Sequence, residues 1–233
     1  MAFFTPERTV TNVATTVYNK PSPHARHLMG KYAKNTAALT AAGAASAATG
    51  ILLAPSLWLL WLLLAAVALA AAWHFYNQYT KARIGYRSEK STAKKLQNSN
   101  SCQVLINSCM LGAGGDADHV ALGPGAVVIE TKTGFGQLRV SQGRVYSGKR
   151  LVGKNEIEQV TRQARALERI LNVPVTKVVC VADARGNIQR TGDVIVCNAR
   201  DLPAVVSTAP TVLSARELPA AVEKVLKVHQ RNN

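Results

Sequence analysis

The sequence predicts an α/β fold, a mixed central sheet flanked by helices, preceded by a transmembrane helical hairpin. After residue 100, short apolar stretches alternate with helical periodicity, as expected for a sheet covered by helices. Within that part, a Gly-Pro-Gly turn at residues 123–125 separates two apolar stretches of strand composition. Residues 36–73, by contrast, contain no charged side chain.

The charge of the chain narrows the class of partner. Its 233 residues carry a net charge of +15, and the isoelectric point is near 10.1. This positive charge excludes a protein with an acidic surface and favours a polyanionic binding partner, either nucleic acid or anionic lipid. The four cysteines show no C-x-x-C spacing, which argues against a zinc site and for a reducing compartment. Cys180 and Cys197 lie in apolar stretches and are predicted to be buried free thiols.

The stretch Gly114–Gly134 predicts a tight β-hairpin that turns at residues 123–125. The two-residue period of a strand places Lys132 on the same face as Glu130. His119 is one step out of this register and is predicted to point away, in a core or hydrogen-bonding role. Asp116 is predicted to be a turn residue. The facing pairs of the hairpin are predicted to be Leu122 with Ala126, Val120 with Val128, and Asp118 with Glu130.

Two facing carboxylates are destabilising unless a cation holds them together. Asp118 and Glu130 are therefore candidate ligands of Mg²⁺, or of Mn²⁺ in its place, since hard cations prefer carboxylate oxygens and keep several waters. Lys132 beside the ion is suited to orient water or to neutralise charge that develops during phosphoryl transfer. The hairpin thus predicts a catalytic site for phosphodiester hydrolysis.

The arrangement of an aspartate, a turn and E-T-K at a strand end resembles the PD-(D/E)XK nuclease core. More specifically, the residues from Asp118 to Gly134 are similar to the NERD (nuclease-related) domain, and the resemblance extends from about Ile84 to about Val206. Upstream, Gly85–Glu89 is similar to the helix that opens that domain, with Ser88 in place of a glycine. Downstream, Asn155–Gln159 is similar to its N-P-x-x-Q helix, with Glu156 in place of the proline.

The resemblance implies a restriction-endonuclease-like core with further site residues. It implies that Glu89 completes the metal shell, although an acid near a helix N-terminus is the alternative. It implies that Gln159 holds the attacking water or a phosphate, although a surface glutamine on a helix is equally common. Apart from the resemblance, the exposed face of the predicted helix at residues 156–171 carries a candidate nucleic-acid-binding stripe of Arg162, Arg165 and Arg169.

The uncharged segment is too long for one straight membrane span. As a helix it would extend roughly 57 Å, against ~30 Å for the hydrocarbon core. Pro55-Ser56 divides it into Thr36–Ala54 and Leu57–Trp73, which predicts a hairpin of two spans. Basic flanks then keep both termini in the cytoplasm, and the small residues of the first half suit packing against the second half or another subunit. The alternative is a sole span at Ile51–Trp73, with the basic flanks on opposite sides.

Three regions follow from these patterns. Residues 1–35 are predicted to be an extended basic arm at the lipid head groups, and the alternative is a disordered tail with no partner. Residues 36–73 are predicted to be the transmembrane hairpin, and residues 74–233 the nuclease-like domain. The other predicted elements are helices at His74–Asn100, Glu156–Leu171 and Ala215–Val228, and strands at Cys102–Met110, Gln137–Val145, Thr176–Ala182 and Asp193–Cys197.

The predicted function is hydrolysis of DNA phosphodiester bonds by a Mg²⁺-dependent nuclease anchored in the bacterial inner membrane. Its predicted partners are DNA, membrane lipid, and a second copy or a membrane complex bound through the small-residue helix. The alternative is a catalytically inactive protein in the same place, either a DNA-binding tether or a scaffold of a DNA transfer or defence complex.

Overall fold

The computed structural model describes residues 15–19, 23–53, 57–152 and 155–232. The chain forms two compact units. Met1–Lys20 together with Ser91–Asn233 form the sheet unit, and Pro21–Lys90 form the helical unit. The helices are α1 Pro23–Leu53, α2 Trp58–Asn98, α3 Glu156–Leu171, α4 Leu202–Ser207 and α5 Leu218–Arg231. The strands are β1 Thr16–Tyr18, β2 Val104–Met110, β3 Asp116–Leu122, β4 Ala126–Lys132, β5 Gly136–Ser141, β6 Arg144–Ser147, β7 Arg150–Leu151, β8 Thr176–Val181, β9 Ala184–Arg185, β10 Gln189–Thr191 and β11 Val194–Asn198.

The main sheet is mixed, which confirms the predicted α/β class. Its seven strands lie in the order β1-β2-β3-β4-β8-β11-β10. Neighbours β1 and β2, β4 and β8, and β8 and β11 are parallel, and the other three pairs are antiparallel. A smaller sheet has the order β7-β6-β5-β9. Strand β4 is central and buried on both faces, which explains its almost continuous apolar composition.

Each face of the main sheet covers its own hydrophobic cluster. Val120 and Val128 pack with Val160 and Leu167 of α3, and with residues of α5 and the small sheet. On the opposite face, Ile129 packs in a cluster that contains residues from the last turns of α2 and from α4: Ala93, Leu96, Leu202, Val205 and Val206. We call the first the α3 face and the second the α4 face. Because side chains alternate along a strand, the two faces of β4 receive different residues.

The predicted hairpin register is confirmed where the two strands pair. Leu122 pairs with Ala126 and Val120 with Val128, and the pairs end at His119 with Ile129. The turn requires glycine at Gly125, since a Cβ there would lie 2.8 Å from the Cβ of Ala209. The turn residues and the alternation of side chains were therefore sufficient to predict this element.

The prediction of a strand at Gln137–Val145, with Gly143 marking a turn, is correct for the turn and wrong for the single strand. The structure has a second hairpin there, formed by β5 and β6. Its two turn residues, Gln142 and Gly143, have φ of 50° and 68°. Positive φ at both central positions is the geometry that matches the twist of a two-residue β-hairpin. Gln142 carries no strong signal for that geometry, so the stretch resembles a single strand.

In the helical unit, α1 begins at Pro23 and not after residue 35. The predicted extended arm is therefore wrong from Pro23 onward, while residues 1–14 and the predicted turn at Pro55-Ser56 lie outside the described residues. The two helices approach each other through glycines of α1. A Cβ on Gly43 would lie 3.3 Å from the Cβ of Ala68, and one on Gly50 would lie 2.3 Å from the Cβ of Trp61.

Helix α2 continues without a break from the apolar segment into the sheet unit. Among the described residues, it is the one helix long and apolar enough to cross a membrane. Core helices of soluble proteins meet the same criterion when they are buried, but only 11% of the apolar window of α2 is buried. Leucine and tryptophan side chains are exposed along it, including Leu59 at 65% and Trp73 at 66%.

All four cysteines are free and buried, as predicted for Cys180 and Cys197. Burial raises the pKa of Cys102 and Cys109 to about 12. These thiols remain protonated at neutral pH and are poor nucleophiles, because the thiolate is the reactive form.

Candidate active site

The site is built on the last residues of β4, on the α3 face. Glu130 and Lys132 are two residues apart and project toward α3, following Ala126 and Val128 on the same face. Glu130 is only 2% exposed, whereas the Lys132 side chain is 28% exposed at the end of the strand. The strand thus holds a carboxylate inside the protein and an ammonium at its surface.

Both oxygens of the Glu130 carboxylate accept hydrogen bonds. Lys132 Nζ donates to Oε1 at 2.7 Å, and Gln163 Nε2 on α3 donates to Oε2 at 2.9 Å. A buried carboxylate requires such partners, since burial of an uncompensated charge is costly. Gln163 also donates to the backbone oxygen of Asp116 at 2.7 Å, so one buried amide group connects α3 to both strands of the hairpin.

Lys132 lies among carboxylates that keep it charged. Burial lowers its pKa, but attraction to Glu130, the hydrogen bond to Glu130, and the charges of Asp118 and Glu156 together raise the pKa above its ordinary value. Its Nζ also lies 3.4 Å from Oε1 of Gln159, to which it donates. The Lys132 ammonium is therefore positively charged at neutral pH, and it lies on the solvent-exposed side of the site.

Asp118 is half-buried and lies next to the last residue pair of β3 and β4, which is His119 with Ile129. Its Oδ2 accepts a hydrogen bond of 2.6 Å from the backbone N–H of Thr131. That amide faces β3, and the carboxylate occupies the position that a backbone acceptor of β3 would otherwise take. Beyond His119, strands β3 and β4 are accordingly joined through this side chain and no longer by the regular pairs.

A backbone irregularity lies opposite Asp118 on β2. The pairs of β2 with β3 run from Met110 to Val104 but omit Ser108, which is buried and has a φ of 48°. A buried serine with positive φ is strained, and such strain is often concentrated near functional sites. On β3, Ala117 and Val120 belong to the same hydrophobic cluster although they are three residues apart, so the side chains do not alternate regularly between the faces around Asp118.

Two residues of the site, Glu156 and Gln163, were not predicted as site residues. Glu156 is 8% exposed and Gln163 is fully buried. With Gln159 they occupy positions i, i+3 and i+7 of α3, which lie on one face of a helix. This spacing was visible in the sequence, but only the docking of α3 on β4 shows that the three face Glu130 and Lys132.

The other predicted residues are placed as follows. Glu89 lies in α2 within the helical unit, so its part in a metal shell stays a prediction. Asp116 is the exposed first residue of β3 and not a turn residue. His119 points away from the site, as predicted: it is buried, its Nδ1 lies 2.8 Å from Asn107 Oδ1, and burial lowers its pKa to about 3.

The three predicted arginines line one groove along α3. Arg162, Arg165 and Arg169 are exposed on α3 and border an open groove of about 640 Å³ with Ala113 and Asn172. Glu168 also borders this groove, and its Oε1 accepts a hydrogen bond from the backbone N–H of Val175. We call this surface the arginine groove. Its three guanidinium groups against one carboxylate make it a positive surface.

Among the described residues, no group of three or more His, Cys, Asp or Glu side chains is arranged to hold a metal ion. The site offers fewer protein ligands, the carboxylates of Asp118 and Glu130. A carboxylate has about four acceptor positions, and each oxygen of Glu130 uses one. Asp118 and Glu156 also act electrostatically on the Lys132 ammonium that contacts Glu130. These residues fit a cation such as Mg²⁺, which needs few protein oxygens because it retains water.

The fold and this site together define a mixed α/β domain with an acid and lysine pair at the end of a central strand. Residues 84–182 match the family of the nuclease-related domain, NERD. The matched part contains β2 to β8 and α3, and therefore the whole site on β4. The match covers less than half of the chain and supports a nuclease-related domain in that part. Comparisons with curated proteins and with solved structures found no match.

Proposed function

We propose that this protein is a membrane-anchored nuclease that hydrolyses phosphodiester bonds of DNA with the help of Mg²⁺. The observation that carries the proposal is the contact of 2.7 Å between Lys132 and the buried Glu130, with Asp118 and Glu156 close enough to act on the same ammonium. The core is proposed to be of the PD-(D/E)XK type, and the nuclease-related family match supports that assignment.

In the proposed reaction, water adds to phosphorus and loses a proton, the bond from phosphorus to one bridging oxygen breaks, and the leaving oxygen takes up a proton. Asp118 and Glu130 would hold Mg²⁺, which would polarise phosphoryl oxygens and make water acidic enough to attack near neutral pH. Lys132 neutralises negative charge that develops on the phosphoryl group, since its ammonium is reachable from solvent. Gln159, within reach of Lys132, is suited to orient water or a phosphate oxygen. Gln163 holds Glu130 in place.

The arginine groove supports nucleic acid as the substrate. Arginine forks bind phosphate oxygens in pairs, and such contacts provide affinity that does not depend on sequence. The groove lies on α3, the helix whose Gln159 and Gln163 contact Lys132 and Glu130 on β4. The arginines follow Gln159 along α3, so a strand bound along them toward the N-terminal end of the helix would run toward the end that contacts Lys132.

The pairing of β1 with β2 supports a transmembrane hairpin over a single span. Thr16–Tyr18 precede the apolar helices, whereas the paired residues Val104–Ile106 follow them. Two strands of one sheet lie on one side of a membrane, so the chain between them crosses an even number of times. If α2 spans the bilayer, α1 must cross as well, and its small residues at the contacts with Ala68 and Trp61 suit close helix packing. Both termini are then cytoplasmic, in agreement with the basic flanks.

The test is cleavage of plasmid and single-stranded DNA by the full chain in detergent micelles, with Mg²⁺, with Mn²⁺ and with EDTA. We expect Lys132→Ala and Glu130→Ala to lower the rate by about 100-fold or more, as for loss of a group that stabilises charge in the transition state. The exposed Glu158→Ala on α3 and Lys224→Ala on α5 are matched controls and should leave the rate unchanged. Equal rates in all variants would refute hydrolysis at this site.

A second candidate function is a catalytically inactive DNA-binding tether or scaffold at the membrane. It is favoured by the two hydrogen bonds that the oxygens of Glu130 already accept from protein donors. It is also favoured because no group of three or more His, Cys, Asp or Glu side chains among the described residues is arranged to hold a metal ion. In the same experiment this function predicts no cleavage, together with DNA binding that EDTA does not alter. Each arginine removed from the groove should then reduce the salt dependence of binding by about one counterion.

A further inference from the structure

Phe135 projects from the loop that follows the catalytic strand. It exposes 69% of its surface, whereas the other exposed large apolar side chains described in the sheet unit, Val17 and Ile188, expose 37% and 43%. A single exposed apolar residue is common on protein surfaces. The position of Phe135 and the way its backbone is held are what distinguish it.

The backbone on both sides of Phe135 is fixed by close contacts. Ser147 Oγ donates a hydrogen bond of 2.8 Å to the Phe135 carbonyl. A Cβ on Gly134 would lie 2.7 Å from Val181 Cγ1, and one on Gly136, where φ is 95°, would lie 3.2 Å from the Cα of Gly148. The loop is thus packed through its glycines, and the aromatic ring is presented to solvent from a defined position. A rigid aromatic side chain loses little conformational entropy on binding.

Phe135 is also close to the reacting groups. It follows Lys132 by three residues, so their Cα atoms are at most about 11 Å apart. A strand whose scissile phosphate lies at Lys132 therefore places the bases of its next few nucleotides within reach of the ring.

The surface next to Phe135 has the composition of a nucleic-acid-binding face. On the outer face of β5 and β6, the Arg139 guanidinium lies 5.1 Å from the centre of the Tyr146 ring, and Arg144 lies on the same face. Aromatic rings for stacking combined with cations for phosphates are the elements of single-strand binding surfaces.

We propose that Phe135 stacks on an unpaired nucleobase next to the scissile phosphate and gives the site a preference for single-stranded DNA. This inference rests on the proposed function. Bases of a duplex are stacked on each other and present only their edges, so the ring gains a partner only where the strand is open. Stacking does not read base identity or the 2′-hydroxyl, so it sets strandedness and not sequence.

The test measures binding of labelled oligonucleotides by the full chain in detergent micelles with EDTA, so that no strand is cut. Three probes are compared: a single strand of thymidines, the same backbone with abasic sites in place of the bases, and a duplex. The variants are Phe135→Leu, which keeps an apolar side chain, Phe135→Trp, which keeps a ring, and Ile188→Ala as a control for loss of an exposed apolar residue.

We expect Phe135→Leu to weaken binding of the thymidine strand by about 5-fold or more. A loss of about 5-fold corresponds to the lower end of the range of affinity that one stacked base contributes. Binding of the abasic strand and of the duplex should change little, Phe135→Trp should restore affinity, and Ile188→Ala should have no effect. The inference would be overturned if Phe135→Leu weakened binding of the thymidine and abasic strands equally, or weakened neither. Such a result would not bear on whether the wild-type protein cleaves DNA, which is measured separately. A wild-type protein that binds none of the probes would overturn the proposed function as well.

Discussion

Glu130 is a buried carboxylate whose orientation depends on two neighbours of different character. Lys132 neutralises its charge, and Gln163 fixes one oxygen without adding charge. The amide of Gln163 therefore acts on the site only through the position of Glu130 and of the Asp116 backbone. Under the proposed function Glu130 binds Mg²⁺, and removal of a residue that orients a metal ligand commonly lowers metal affinity or activity by about 10- to 100-fold.

We predict that Gln163→Leu raises the Mg²⁺ concentration needed for half-maximal cleavage by about 10-fold or more. The leucine fills a similar volume but leaves Oε2 of Glu130 and the carbonyl of Asp116 without their donor. The measurement is the cleavage rate as a function of Mg²⁺ concentration. Glu158→Gln, on the exposed side of the same helix, is the control. An unchanged Mg²⁺ dependence in Gln163→Leu would mean that the amide does not position Glu130.

We predict that His119 makes the protein less stable in acid. Burial lowers its pKa to about 3 in the folded protein, while an unfolded chain has a histidine pKa of about 6.5. Between these values the unfolded chain binds a proton that the folded protein does not, so stability falls as pH decreases from about 6.5 toward 3. His119→Gln, which retains a partner for Asn107, should lose less stability between pH of about 7 and about 4.5. The thermal midpoints of both proteins at each pH measure this, and parallel decreases would contradict it.

The residues of the site were predictable to different degrees. Glu130 and Lys132 share a face because side chains alternate along any strand, so that part needed only the strand assignment. The hydrogen bond of Asp118 to the Thr131 amide depends on the end of the hairpin pairing and on the irregularity at Ser108, which have no signal in the sequence. Glu156 and Gln163 became site residues only through the docking of α3.

At the scale of elements, local signals were sufficient where an element is defined by its own residues. Helix α3 has the predicted bounds Glu156–Leu171, and the hairpin of β3 and β4 has the predicted register. Strand β1 was missed, because its three residues carry no pattern and pair with residues 88 positions later in the chain. Such pairing is determined by the tertiary structure and not by local propensity.

The contact between α1 and α2 allows a direct test. We predict that Gly43→Cys combined with Ala68→Cys forms a disulfide under mild oxidation, since an ideal Cβ at Gly43 lies 3.3 Å from the Cβ of Ala68 and disulfides need about 3.5–4.5 Å. The native cysteines are buried and should not compete. Mobility on gels without reductant measures the crosslink.

The control for this crosslink is Gly30→Cys with Ala68→Cys. Gly30 lies in the same helix, but a Cβ there would have no atom within 4 Å. A disulfide in the control pair, or none in the Gly43 pair, would contradict the helix contact.

At the scale of the whole molecule, the pairing of β1 with β2 allows the proposed membrane topology to be tested. Because they belong to one sheet, we predict that tags on the two termini are on the same side of the membrane. Both tags should resist protease added to intact spheroplasts and be cleaved after lysis. A label on Ser56→Cys, at the predicted turn of the hairpin, should react with an impermeant maleimide from outside. Opposite accessibility of the two termini would contradict the paired strands.

The position of β1 also has a consequence for biosynthesis. The edge strand of the sheet is translated first, but its partner leaves the ribosome only after both apolar helices have been made. Until then the backbone groups of β1 have no partner strand. A soluble fragment that starts after α2 would lack β1 altogether and would leave the backbone groups of β2 unpaired at the sheet edge, which makes it prone to aggregate. Joining residues 15–19 to residue 91 by a short flexible linker is therefore the rational design for a soluble form of the sheet unit.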